Sequence, residues 1–463
     1  MENRDLVIIG GGPAGYTCAI RASQLGRKVT LIEKERLGGV CLNWGCIPTK
    51  SLLHHAKFVS EIQKAGALGV TISGYEINFE QIMLNSRSVA NKLEQGVKYL
   101  MKKNNVEVIE GYARFENEGT IIVDSPGNKL SIKFNQLVLA IGASPKALPF
   151  VDVDGEVIHN YRTILLNKKL PSDLVVIGAG PIGLEFSYFF NSLGSRVTLI
   201  EVLDRIAPTE DLEVSKFLAK NFEENGINIL TSAKVQNITK SSTGICVEVL
   251  THENKPQKIN ADMVLLAVGV QPNTENIELE KVGILTSRGF ISVNEKYQTT
   301  NPNVFAIGDC IGGVLLAHKA SHEALILAEY LGNGHLTRLD REKIPSCIYT
   351  EPQVASIGLT EEQAKAKGYD IMVYRLPFSA VGKAVATFQT EGFCKVIVDS
   401  KYHEILGVHM IGPEVTELIT SVSLAKTHEA VAESVLDTVF PHPTLSEAFL
   451  EAVAGAISRP INS

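Results

Sequence analysis

Two copies of one pattern (strand, glycine-rich turn, helix, strand) begin near residues 6 and 174, and past residue 344 the pattern changes to short alternating strands. Together these predict an α/β chain: two Rossmann-like dinucleotide-binding domains followed by a C-terminal α+β domain. A third observation, the cysteines Cys41 and Cys46 just beyond the first copy, points to the chemistry.

The first copy runs from an apolar strand at 6–9 through Gly10-Gly11-Gly12-Pro13-Ala14-Gly15 to a helix and the strand at 29–33, which ends in Glu33. The second runs from 174–177 through Gly178-Ala179-Gly180-Pro181-Ile182-Gly183 to the strand at 197–201, ending in Glu201. The offset is 168 residues at both ends (178 − 10 and 201 − 33). Gly10, Gly12 and Gly15, like Gly178, Gly180 and Gly183, allow a tight turn and a close approach of backbone to a pyrophosphate at the helix N-terminus. Glu33 and Glu201 are placed to accept hydrogen bonds from ribose hydroxyls. One such turn is weak support, since glycine turns are common; two with matching acids are strong.

The first domain is expected over 1–150, closing near Gly142, and the second over 151–272, closing with Gly269. A central segment at 273–343 carries Ala306-Ile307-Gly308-Asp309, and the C-terminal domain spans 344–463. In that last domain, strands are expected at 371–376, 393–398 and 405–410. A helix is expected at 360–367, begun by a capping box of Thr360 and Gln363, with further helices at about 414–430 and 445–457.

Cys41 and Cys46 lie in Cys41-Leu42-Asn43-Trp44-Gly45-Cys46-Ile47-Pro48-Thr49-Lys50. In a regular helix, residues five apart have Cα atoms roughly 8.7 Å apart, whereas a disulfide rarely tolerates more than about 7 Å. A bonded pair therefore needs a bend, which Asn43 and Gly45 permit. A helix beginning near Pro48, together with Lys50, would favour a thiolate at Cys46. The spacing alone is equally compatible with two buried free thiols. Following a dinucleotide-binding unit, it suggests a disulfide that exchanges electrons with a bound flavin. The other five cysteines (Cys18, Cys246, Cys310, Cys347 and Cys394) have no near partner and read as core thiols.

Composition narrows the class. The 463 residues are 45% hydrophobic and 21% charged, with 38 glycines, as expected of a globular chain rich in tight turns. A net charge of −7 without a basic stripe speaks against nucleic-acid binding. The longest apolar runs, such as 263–270, are too short to span a bilayer, and no leader precedes the first strand. Seven scattered cysteines do not make a secreted disulfide framework. They fit a reducing compartment: the cytoplasm, or a mitochondrial or plastid matrix after removal of a presequence. No CxxC or HExxH pattern suggests a metal site.

The order of GGGPAG, CLNWGCIPTK, GAGPIGLE, AIGDC and HPTLSE resembles the two-dinucleotide-binding flavoprotein disulfide reductases over essentially the whole chain. Three stretches, at 316–320, 344–352 and 442–447, most resemble the branch that oxidises protein-bound dihydrolipoamide and reduces NAD⁺. The resemblance implies FAD at the first glycine turn and NAD at the second. It implies Asp309 on the flavin ribitol, Ala317 beside the cofactor, and Lys50 near the flavin, paired with Glu185. Cys41 would be the interchange thiol and Cys46 the thiol that contacts flavin. His442 would be the base, since a thiolate attacks a disulfide, and Glu447 would orient its ring. Thr444-Leu445-Ser446-Glu447 is also a capping box, so the Glu447 carboxylate is expected to serve one partner at a time. The resemblance further implies a homodimer that shares its sites through a C-terminal dimerisation domain, docked on the lipoyl-bearing acyltransferase of a 2-oxo-acid dehydrogenase complex.

Three positions depart from the pattern. The stretch Gly269-Val270-Gln271-Pro272-Asn273 lacks the family's arginine, and Trp44 and Phe440 are bulkier than expected beside the cysteines and the histidine. Reductases of glutathione, trypanothione or mercuric ion are the alternatives. The last lacks its C-terminal cysteine pair here, and Glu201 disfavours a 2′-phosphate. A flavin-binding structural subunit would not need Cys41, Cys46 and His442 together.

Overall fold

A computed structural model describes residues 3–241, 244–252 and 255–462. The strand Asn3–Ile9 is central to the first sheet, with Leu6, Val7 and Ile8 fully buried. It lies parallel to Val29–Glu33 on one side and to the second half of Asn128–Leu139 on the other, and Glu107–Glu110 forms the edge. The first half of Asn128–Leu139 belongs to an antiparallel arm with Thr120–Ser125 and Tyr112–Asn117. A segment from far along the chain completes this sheet: Val304–Ala306 pairs in parallel with Leu137, Val138 and Leu139. The helix Ala317–Asn333 then packs on Pro13–Gln24, where a Cβ on Gly332 would sit 2.8 Å from the Leu25 side chain.

The second unit repeats the plan. Asn228–Leu230, Arg196–Ile200, Asp173–Ile177, Met263–Leu266 and Ile158–Asn160 form a parallel sheet in that order. A three-stranded antiparallel sheet, Lys234–Ser241, Gly244–Leu250 and Pro256–Ala261, stands where the first unit has its arm. The two units are laced together where the chain passes between them: Ala143–Pro145 pairs with Val270–Pro272, and the Asn273 amide donates to the Ile141 carbonyl.

The C-terminal unit is a five-stranded antiparallel sheet ordered Ser346–Ile348, Gln353–Gly358, Ile405–Gly412, Phe393–Asp399, Ile371–Pro377. The expected strands are present, each slightly longer. The helix Glu361–Ala366 is capped by Thr360, with both halves of the capping box formed. The expected helix at about 414–430 is Val415–Thr427, followed by a separate short helix Ala432–Leu436; the last helix is Glu447–Ala456. Cys394, Val396, Val408, Met410, Phe449 and Val453 pack between sheet and helices.

This unit meets the second across a buried polar seam. Lys395, almost wholly enclosed, donates to Asp211 at 3.0 Å and Glu213 at 2.8 Å, and pairs with Glu361 at 2.7 Å. Burial opposes its charge, but the three carboxylates prevail and hold its pKa up at about 12. Among the described residues, no helix is long and apolar enough to cross a membrane.

Candidate active site

The two glycine turns divide their glycines into two kinds. Gly10 and Gly178 have φ of +103°, and a Cβ on either would strike the carbonyl of Ala140 or Ala267 at 2.2 or 2.4 Å. A Cβ on Gly15 or Gly183 would lie 1.7 or 1.8 Å from the carbonyl of Gly10 or Gly178, so helix and strand pack only without it. Gly12 and Gly180 differ. Their φ values of −73° and −76° suit any residue, and a Cβ on Gly180 would meet nothing within 4 Å. Neither backbone nor packing demands glycine there. A ligand pressed against the turn would.

The acids are tied to the same loops. Gly11 N–H donates to Glu33 at 2.6 Å and Ala179 N–H to Glu201 at 2.7 Å. The second carboxylate oxygen of each accepts the amide two residues on, at Glu35 and Leu203. Both acids are thus held at the rim of a cleft. The first, about 460 Å³, is lined by Glu33, Arg36, Leu37, Glu94 and Met101. The second, about 520 Å³, is lined by Gly178, Gly180, Ile182, Glu201, Lys234 and Gly269. Gly142 and Gly269 each end a parallel strand at positive φ with open space around them. Both clefts have the size and mixed lining of small-molecule sites, and the second brings its glycine turn and acid into one lining, as a dinucleotide site requires.

The bend required between Cys41 and Cys46 falls at Gly45. Cys41 sits in the short helix Gly39–Trp44, and Gly45, with φ −144° and ψ −110°, breaks it from Cys46–Lys64. The long helix therefore begins at Cys46 itself, not near Pro48, which places that sulfur in its first turn. The two are free thiols joined by a hydrogen bond from Cys41 to Cys46. That hydrogen bond lowers the Cys46 pKa, aided by Lys50 against burial and Glu185. The same bond, with burial and the charge on Cys46, pushes Cys41 up. Of the two thiols, Cys46 is the one whose ionisation its surroundings favour.

One turn along the long helix, Lys50 donates to both oxygens of Glu185 at 2.8 Å. Glu185 lies on Pro181–Ser192, the helix begun by the second glycine turn, and is buried. It also accepts Tyr349 N–H at 3.2 Å, and the Lys50 ammonium lies 4.2 Å from the centre of the Tyr349 ring. The pair thus joins all three units. Cys347 stands close by, half-buried, with burial pushing its thiol up to about 12. It packs against the C-terminal core yet, like Cys246, is only partly buried, whereas Cys18, Cys310 and Cys394 are buried as expected.

Asp309 lies in the turn Gly308–Ile311 after Val304–Ala306, and burial raises its pKa against the pull of Lys319. A buried pair beneath holds this turn. Glu323 accepts Gly308 N–H at 2.8 Å, and Lys319 bonds Glu323 at 3.0 Å and the Gly312 carbonyl at 3.1 Å. Sequence reading missed this pair; its signal was the i, i+4 spacing of Lys319 and Glu323. Ala317 is the first residue of that helix, whose N-terminus has no side-chain cap.

His442 and Glu447 are adjacent, with Nδ1 and Oε1 2.9 Å apart. A carboxylate only accepts, so Nδ1 carries the proton and Nε2 is left as a base. The other Glu447 oxygen accepts Thr444 N–H at 2.9 Å. The expectation that the carboxylate serves one partner at a time is thus corrected: its two oxygens serve both at once. The His442 side chain is 76% exposed, and Glu447 is its hydrogen-bond partner within the chain. Trp44 is engaged elsewhere than at the cysteines: its ring stacks with the Arg87 and Arg162 guanidiniums. Phe440 packs near Phe449 in the C-terminal core. Among the described residues, no cluster of His, Cys, Asp and Glu could hold a metal ion.

Dihydrolipoyl dehydrogenase of Zymomonas mobilis is 43% identical over 463 residues, covering 100% of this chain and 99% of that protein. The Bacillus subtilis protein of the same name is 41% identical, covering 99% of each. The crystal structure of LpdA from Mycobacterium tuberculosis is similar with a TM-score of 0.91 at 25% identity, covering 98% of this chain and 99% of that one. Residues 4–324 match the family model described as pyridine nucleotide-disulphide oxidoreductase, and residues 344–453 match the dimerisation domain of the same family. Two glycine turns with their acids and a cysteine pair, in a chain matched to these relatives end to end, place it in the pyridine nucleotide-disulphide oxidoreductase family.

Proposed function

We propose that this chain is a dihydrolipoyl dehydrogenase, with FAD and NAD as cofactors, which oxidises dihydrolipoamide and reduces NAD⁺. The observation that carries this reading is the Cys41–Cys46 pair at the helix break, one turn from the Lys50–Glu185 bridge that reaches the second nucleotide unit. When bound, FAD and NAD⁺ together take up the electron pair that leaves the cysteines.

The remaining steps belong to side chains. Nε2 of His442 takes the proton of one substrate thiol, and the thiolate attacks Cys41 Sγ, opening the Cys41–Cys46 disulfide. Cys46 leaves as the thiolate that its helix N-terminus and Lys50 favour. The second substrate thiol then displaces Cys41, giving cyclic lipoamide and the reduced pair. Glu447 holds the His442 ring and its tautomer. Glu201 at the second cleft favours NAD over a 2′-phosphorylated cofactor, and Glu33, Asp309 and the Ala317 helix end are the groups that would hold FAD.

The exposure of His442 supports a homodimer in which one chain's histidine serves the other's cysteines. The substrate is then the lipoyl arm of the acyltransferase in a 2-oxo-acid dehydrogenase complex. Scattered cysteines fit a cytoplasmic setting. NAD⁺ reduction by dihydrolipoamide, set against NADPH oxidation by glutathione disulfide, tests the activity; turnover only in the second assay refutes it. Mixing Cys41→Ser and His442→Ala chains under subunit exchange tests the shared site. Recovered activity in the heterodimer supports it, and none, with heterodimer confirmed by mass, excludes it.

A further inference from the structure

Cys41 and Cys46 belong to different helices joined by a single glycine. The Cys41 helix, Gly39–Trp44, is six residues long and flanked by Gly38 and Gly45, and a helix that short is not stable by itself. Tertiary ties at its last two residues therefore decide where Cys41 sits relative to Cys46. Trp44, the only tryptophan in the chain, is the last residue before the break. Its ring lies 4.5 Å from the Arg87 guanidinium and 4.9 Å from that of Arg162. Its indole N–H donates to Glu35 at 2.9 Å, and Arg162 donates to the same oxygen at 2.5 Å. Arg87 also donates to the carbonyl of Asn43. Three separate elements thus converge on the end of one short helix: Phe79–Lys103 with Arg87, the turn after Ile158–Asn160 with Arg162, and the loop after Val29–Glu33 with Glu35.

We propose that the Arg87–Trp44–Arg162 stack is the positioning element of the redox pair, fixing the end of the Cys41 helix so that the two sulfurs stay within bonding reach across Gly45. The inference rests on the reading of Cys41 and Cys46 as a dithiol–disulfide couple. Closing a disulfide depends on the effective concentration of one thiol about the other. A loosened helix lowers that concentration and makes the bond easier to reduce.

The test is equilibration of the holoenzyme with glutathione and its disulfide. The Cys41–Cys46 disulfide and two glutathione thiols give the dithiol and one glutathione disulfide; trapping by alkylation, followed by peptide mass, reads the ratio. Trp44→Ala is expected to shift the equilibrium about tenfold toward dithiol, which is about 30 mV. Trp44→Phe keeps the stacked ring and is expected to restore most of the shift. Arg162→Gln and Arg87→Gln, each removing one stacked guanidinium while leaving the indole, are expected to shift it about threefold and decide the matter should Trp44→Ala not fold. Ratios within twofold of wild type in the folded, flavin-bearing variants would overturn the proposal, because a merely structural role would lower stability without moving this equilibrium. Failure of the wild-type pair to form a disulfide at all would overturn the redox reading itself, and the proposal with it.

Discussion

Gly180→Ala separates what the fold requires from what a ligand requires. With φ at −76° and no atom within 4 Å of the added methyl, the native backbone accepts alanine. Restricting the unfolded chain stabilises by about 0.4–1 kcal/mol. Against this, Gly180 is the N-cap of Pro181–Ser192, and alanine is a poorer cap by roughly 0.5–1 kcal/mol. The two nearly cancel, so urea midpoint and flavin content should match wild type. NADH affinity should not, because the methyl fills the space where the pyrophosphate meets the helix N-terminus. A hundredfold rise in Kd, about 2.7 kcal/mol, is expected by titration calorimetry. Gly183→Ala is the opposite control: its Cβ would lie 1.8 Å from the Gly178 carbonyl, so helix and strand must part and the protein should fail to fold. NADH binding within threefold of wild type in Gly180→Ala would refute the assignment of the cleft.

Lys395→Ala leaves Asp211, Glu213 and Glu361 facing one another without their cation; breaking such a buried pair costs about 3–5 kcal/mol, and an unchanged urea midpoint would contradict it. Glu185→Gln removes the counter-charge of Lys50 while sparing both glycine turns; with charged hydrogen bonds contributing about 1.5–3 kcal/mol, stopped-flow flavin reduction by NADH should slow at least roughly tenfold with flavin content unchanged. Despite partial burial, hydrogen bonds from His442 and Thr444 hold the Glu447 pKa below its ordinary 4.5. Its contribution to stability is therefore present above pH 4.5 and lost as pH falls through the folded value. The stability gap between wild type and Glu447→Gln should accordingly close in acid; a gap of constant size across that range would count against the interaction.

Local chemistry made the glycine turns, the terminal acids and the Thr360 capping box legible, because each is written in consecutive residues. The antiparallel arms were not, since the strands Thr120–Ser125 and Gly244–Leu250 are specified by pairing with distant segments. The repeat was therefore read over its strand–turn–helix–strand part, whereas the structure extends it through the arms. The bend between the cysteines was legible, with Gly45 one of the two residues able to make it; that the long helix starts at Cys46 and not near Pro48 was not. The two roles of Glu447 looked exclusive in sequence because a capping motif names one partner; only the placement of both oxygens shows that Thr444 N–H and His442 can be served together. The Lys395 seam was invisible, since Asp211 and Glu213 lie 184 and 182 residues away and no local pattern joins them to it.

The late strand Val304–Ala306 has a consequence for biosynthesis. Its partner Leu137–Leu139 emerges first, and 167 residues (306 − 139) must follow before that edge is covered. At about 5–20 residues per second, this is roughly 8–33 s during which an apolar strand edge stands open at the ribosome. The parallel sheet of the second unit, from Ile158 to Leu266, lies within that interval and can be completed before the first is closed. The nascent chain thus finishes its inner unit before its outer one. A stalled or truncated chain ending short of residue 304 should be a preferred client of ribosome-associated chaperones, while one ending soon after 333 should be released from them.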